Sequence, residues 1–145
     1  MTQSIENAIT EIANVVAATT GINAPQATPR ENANEFPFAM VYLMEGEGNA
    51  ESEGWTTELH SIAIDLLVPR EWGIEIVFET LHPILDDLKV ALWSEVAKTG
   101  GDAFNSSIDT FSVMRFQFLP EYIYNNTEMI GYRTIMEQVK LLTTL

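Results

Sequence analysis

The chain has 145 residues, enough for one domain with a real core, and its 46% hydrophobic content with a mean hydropathy of +0.04 excludes a disordered chain. Twenty-one Asp and Glu against seven Lys and Arg give a formal net charge of −14, which argues against a surface that grips nucleic-acid phosphates or an anionic membrane. No apolar run reaches the ~20 residues of a membrane span, no basic region precedes an apolar N-terminal core, and with no cysteine there are neither disulfides nor thiolate metal sites, so a non-membrane protein of a reducing cytoplasm is expected.

Residues 3–19 set Ile5, Ile9, Ile12, Val15, Val16 and Thr19 on one helical stripe, with Ser4 as N-cap and Gly21 as stop. Ile22 to Glu35 holds Pro25 and Pro29 without a helical period and reads as an extended crossover, long enough to touch something outside its own domain. Phe36 to Met44 is uncharged and rich in β-favouring residues, the pattern of a buried strand. Glu45 to Thr57 interleaves Glu45, Glu47, Glu51 and Glu53 with glycines and reads as a flexible acidic loop at the tip of a hairpin. The second strand, Glu58 to Val68, sends His60, Ile62, Ile64, Leu66 and Val68 to one face and Leu59, Ser61, Ala63, Asp65 and Leu67 to the other.

The longest helical period runs from Glu71 to Lys98, with Ile74, Phe78, Leu81, Leu85, Leu88, Leu92 and Val96 on one face. Pro83 inside it predicts a kink near His82 or a fresh helix start. Gly100 and Gly101 end the helix. Ile108 to Leu119 reads as a third strand stopped by Pro120, Glu121 to Glu128 as a connection, and Met129 to Leu142 as a fourth strand with Ile135, Val139 and Leu141 on one face. The order α-β-β-α-β-β predicts a single α+β domain over residues 1–145, a mixed or antiparallel sheet of about four strands with two helices on one side.

Chemistry has no evident home in this pattern. His60 and His82 lack further ligands at metal-binding spacing, and the adjacent Asp86 and Asp87 diverge around a helix, so all four read as structural or solvated. There is no GxSxG serine, no cysteine nucleophile and no glycine-rich phosphate loop, so neither an enzyme nor a cofactor is expected. Trp93, beside Leu92, is a candidate core residue, whereas Trp55 and Trp72 sit among polar residues at element ends, each either a partial lid on the core or a contact for another subunit.

A proline-containing crossover leads to the strand PFAMVY (Pro37 to Tyr42), and HSIAIDLLV (His60 to Val68), LHPILDDL (Leu81 to Leu88) and a closing strand opening on GYR (Gly131 to Arg133) follow. In element order and in these scattered apolar and proline positions the chain resembles the small tail terminator, or tail completion, proteins of long-tailed bacteriophages. The resemblance implies a structural virion protein of the tail, assembled in the bacterial cytoplasm. It would form a hexameric ring that caps the tail tube, stops its polymerisation, meets the tail tube protein and the neck connector, and lets DNA pass without specific binding. On that basis Glu45, Glu47, Glu51, Glu53 and Glu58 line the lumen or meet basic residues of a neighbouring ring. Strand edges and the crossover, with Pro25, Pro29, Arg30, Trp55 and Trp72, are candidates for the subunit interface. A neck or head-closure protein, a tail tube protein and an acidic DNA-mimic inhibitor are the competing expectations; a mimic requires carboxylates on a rigid surface rather than in a loop.

Overall fold

The computed structural model describes residues 2–22, 24–26, 36–52, 54–98, 101–124 and 126–144, and the side chains of 24–26, 51, 52 and 124 are outside the description. Helix α1 (Ile5–Ala17) starts where Ser4 Oγ accepts a 3.1 Å bond from the Asn7 amide, and it buries Ala8, Ile12, Ala13 and Val16. The short strand β1 (Ala24–Gln26) lies parallel to the start of β2 (Phe38–Ser52), which forms a hairpin with β3 (Trp55–Pro69). A single 3₁₀ turn leads into α2 (Ile74–Val96), and the antiparallel pair β4 (Val113–Tyr124) and β5 (Thr127–Thr144) follows. Strand order is β1-β2-β3-β5-β4, with each of the four long strands antiparallel to its neighbours and the three-residue β1 adding a parallel edge. The domain is α+β, with both helices on one face of the sheet.

One helix-facing core joins Ile12 and Val16 of α1, Leu81, Leu88 and Leu92 of α2, and Ile62, Ile64, Leu66 and Val68 of β3. A smaller cluster of Phe38, Met40, Leu67, Leu119 and Met129 lies on the opposite face. The alternation read along β3 is therefore observed residue for residue between Ile62 and Val68.

Several expectations need correction. The acidic segment is not a loop: β2 and β3 remain paired from Glu45↔Ser61 out to Ser52↔Trp55, so the hairpin is a long ribbon. Continuous pairing with β3 supplies the backbone partners that the composition alone did not predict. Helix α2 passes through Pro83 as one 23-residue element, so of the two expected effects of this proline the fresh helix start does not occur. Pro83 lies on the exposed side, where water can satisfy the carbonyl that loses its amide partner. The buried face of α2 is also rotated from the expected stripe, for Val77, Leu81, Ile84, Leu88 and Leu92 are buried while Ile74 is 53% exposed. Ile84 abuts Gly21, just past the end of α1, whereas Phe78 meets the rings of Phe118 and Tyr132 toward the sheet's edge.

Further corrections concern the second hairpin. Pro120 does not stop β4; it falls where the register slips between Leu119↔Gly131 and Tyr122↔Met129, and the strand continues to Tyr124. An edge strand at a bulge is where proline costs no ladder bond. Ile108 and Phe111 are buried in the irregular segment ahead of β4 rather than in the strand. In β5, Met136 and not Ile135 joins Val139 and Leu141 in the helix-facing core. The cause is a bulge at Glu137–Gln138, where Gln138 has φ of 56° and the pairing jumps from Ile62↔Met136 to His60↔Val139. One inserted residue exchanges the two faces of everything beyond it.

A second left-handed feature precedes β4. Phe104, Asn105 and Ser106 have φ of 49°, 55° and 63°, forming one left-handed turn. Glu95 Oε1 accepts the Phe104 amide at 2.9 Å, and the Gln3 side chain donates to the Ser106 carbonyl at 3.1 Å. These bonds hold a conformation that is costly for residues with a Cβ.

Candidate interaction surface

The ribbon is the place where the sequence concentrates charge and where the fold departs from a compact sheet. Bulges flank Ser61 on both sides, one at Met44 in β2 and one at Glu137–Gln138 in β5, so the sheet changes course at a single level of β3. Beyond that level β2 leaves the core, and residues 43–50 are exposed on both faces.

The structure separates the predicted acidic residues. Glu45 lies opposite Ser61 and Glu47 opposite Leu59, so both project from the face away from the helices and stand exposed. Glu58 projects from the other face and is held by His60, whose Nε2 donates to Glu58 Oε1 at 2.7 Å. Glycine makes that pair possible: a Cβ on Gly46 would lie 2.0 Å from His60 Nδ1, so the imidazole rests directly on the backbone of β2. His60 is 6% exposed and its Nδ1 has no hydrogen-bond partner. Glu51 belongs to β2, with its side chain outside the description, and Glu53 lies outside the described residues.

Trp55 and Leu59 share the face of Glu45 and Glu47 and are 39% and 41% exposed. Trp72 instead packs edge-to-face on Phe36, with ring centroids 6.4 Å apart, at the margin of the main core, and so forms a partial lid. Trp93 is 38% exposed and stacks on the buried Phe111 at 4.6 Å, a cover of the core rather than part of it. Pro25 is in β1, with its side chain outside the description, and Pro29 and Arg30 lie outside the described residues.

Sequence reasoning missed the charged cluster on the open face of the sheet. Asp65 is fully buried, and its carboxylate accepts Arg133 Nε at 2.7 Å, Arg133 Nη2 at 3.1 Å and the Tyr42 hydroxyl at 2.7 Å. The Arg133 guanidinium also lies 5.9 Å from the Tyr42 ring centroid. Burial, then the bond to Asp65, push the Tyr42 phenol above its ordinary range, and the Asp65 bond raises the Arg133 guanidinium. The available signal was one aspartate inside an apolar strand, with its partner far along the chain. His82 is likewise structural: Nε2 lies 2.8 Å from the Tyr132 hydroxyl while the ring stacks on Phe78 at 5.2 Å.

Among the described residues no three His, Asp or Glu side chains converge as a metal site, and no helix is long and apolar enough to cross a membrane. Neither the known protein families nor the curated proteins contain a match to this chain.

Proposed function

We propose that the protein is a structural component of a long-tailed phage virion that assembles as a ring on the end of the tail tube, halts its growth and offers the joining surface to the neck. The observation that carries this reading is the acidic ribbon: Glu45 and Glu47 stand exposed on a strand that leaves the core after Val41. In a closed ring such a ribbon either borders a lumen that repels DNA or reaches a basic neighbour. The long outer edge of β4 is also open among the described residues and supports side-by-side association of subunits.

Light scattering after size exclusion, with negative-stain images of the same fraction, tests the ring. Closed particles of about six subunits with an open centre are expected, and cyclic closure is the common outcome of repeated heterologous contact. A protein that stays monomeric alone and also fails to cap tail tubes overturns the proposal. An acidic DNA-mimic inhibitor is the second reading, and the ribbon favours it more than a loop would, because carboxylates on a paired strand hold a fixed spacing. Binding to a basic DNA-processing enzyme, competed by duplex DNA, would select it over the ring.

A further inference from the structure

The outer edge of β2 between Leu43 and Ala50 has no strand neighbour among the described residues, because β1 pairs only with Phe38–Met40. Residues 43–50 are exposed throughout. Such an edge presents alternate amides and carbonyls ready to pair with an added strand. The other long edge, β4, is interrupted by Pro120 and its bulge, whereas β2 beyond its own bulge at Met44 contains no proline and keeps one register from Glu45 to Ala50. Side chains on the open face select the chemistry of the added strand: Glu45 and Glu47 alternate along the edge, with the exposed Leu59 behind Glu47 on β3.

A second copy of this chain fits the edge poorly. Two β2 edges would set glutamates against glutamates, and the one arginine on β4, Arg115, already binds Glu137 at 2.7 Å. The net charge of −14 opposes such pairing further. We infer that the distal edge of β2 receives an extended segment of a different, basic protein, which adds as a strand and places alternate Lys or Arg side chains against Glu45 and Glu47. Backbone pairing supplies the register, and the alternating charge supplies selectivity. The inference holds for any basic extended partner and does not require the ring.

The test uses the full-length protein and a fluorescent peptide of about eight residues, the length of a typical strand, in which lysine alternates with valine. Saturable binding is expected, with amide hydrogen exchange slowed in residues 43–50 and unchanged elsewhere. The Glu45→Lys, Glu47→Lys double variant, its fold checked by circular dichroism and thermal melting, should bind at least about tenfold more weakly, because two attractive pairs become repulsive ones. The same variant should accept a peptide in which glutamate replaces lysine. Absent binding, slowed exchange at some other segment, or an affinity indifferent to the charge reversal overturns the inference; in those cases the glutamates serve to guard the edge. Assembly state does not enter these measurements, so their failure leaves the ring proposal standing.

Discussion

Asp65 and Arg133 are direct cross-strand partners at the centre of the β3–β5 ladder, and the arginine closes on the carboxylate with two hydrogen bonds of 2.7 and 3.1 Å. Burial of the two is unequal: Asp65 is fully enclosed, while Arg133 keeps 22% of its side-chain surface. That inequality decides which half of the pair is more costly to lose.

Removal of Arg133 leaves a fully buried carboxylate without its countercharge, although still bonded to the Tyr42 hydroxyl, so Arg133→Met should cost about 5 kcal/mol, the upper end for a broken buried pair. Asp65→Ala leaves a guanidinium that can turn toward solvent, and its cost should be nearer ~3 kcal/mol. The double variant Asp65→Ala, Arg133→Met should cost less than the sum, since neither charge is then stranded. Urea denaturation of the four proteins measures the cycle. Additive losses, or a larger loss from Asp65→Ala, would show that the pair does not behave as one unit.

Tyr42 makes stability depend on alkaline pH. Its phenol is raised in the folded state by burial and by its bond to Asp65, so above about pH 10 the unfolded chain releases this proton while the folded chain retains it. The unfolded state then binds fewer protons, and stability falls as pH rises. The Tyr42 contribution is thus complete below pH ~10 and is lost toward the folded value. Tyr42→Phe should cost about 2 kcal/mol near neutrality, the range for a bond to a charged acceptor, and should show a shallower decline above about pH 10. Parallel curves for the two proteins across that window would remove Tyr42 as the cause. Tyr132, also raised by burial, remains in the variant and accounts for part of the residual slope.

Sequence periodicity reports which residues are apolar along one element, and it succeeds where one element alone decides the outcome. The Ser4 cap, the α1 stripe and the alternation of Ile62, Ile64, Leu66 and Val68 are local in this sense and were legible. The rotation of α2 was not, because the Val77–Ile84 and Phe78–Leu85 rows are both apolar, and the choice rests on what each row meets in space. The acidic ribbon reads as a loop because its strands bury little, and its order comes from pairing with β3, which composition does not encode. Likewise Ile135 and Met136 exchange faces through a bulge with no glycine to announce it. The Asp65–Arg133 pair needs the register of two strands that are distant in sequence.

His60 and Gly46 provide the sharpest test of the ribbon's ordered geometry. The two are cross-strand partners, and the imidazole occupies the space that any side chain at Gly46 would need, since a Cβ there would lie 2.0 Å from Nδ1. Gly46→Ala must therefore displace the ring, which breaks its bond to Glu58 and shifts the packing beside Val139; about 1–3 kcal/mol is expected for such overpacking. His60→Ala removes the obstacle along with the bond. In that background the added methyl should have almost no further cost, so the double variant should match His60→Ala alone. Denaturation of the three variants gives the coupling, and the imidazole resonances of His60 should shift in Gly46→Ala. A Gly46→Ala protein as stable as the parent, with unmoved His60 resonances, would mean that the imidazole does not rest on β2 and that the ribbon's two strands are not closely paired at this level.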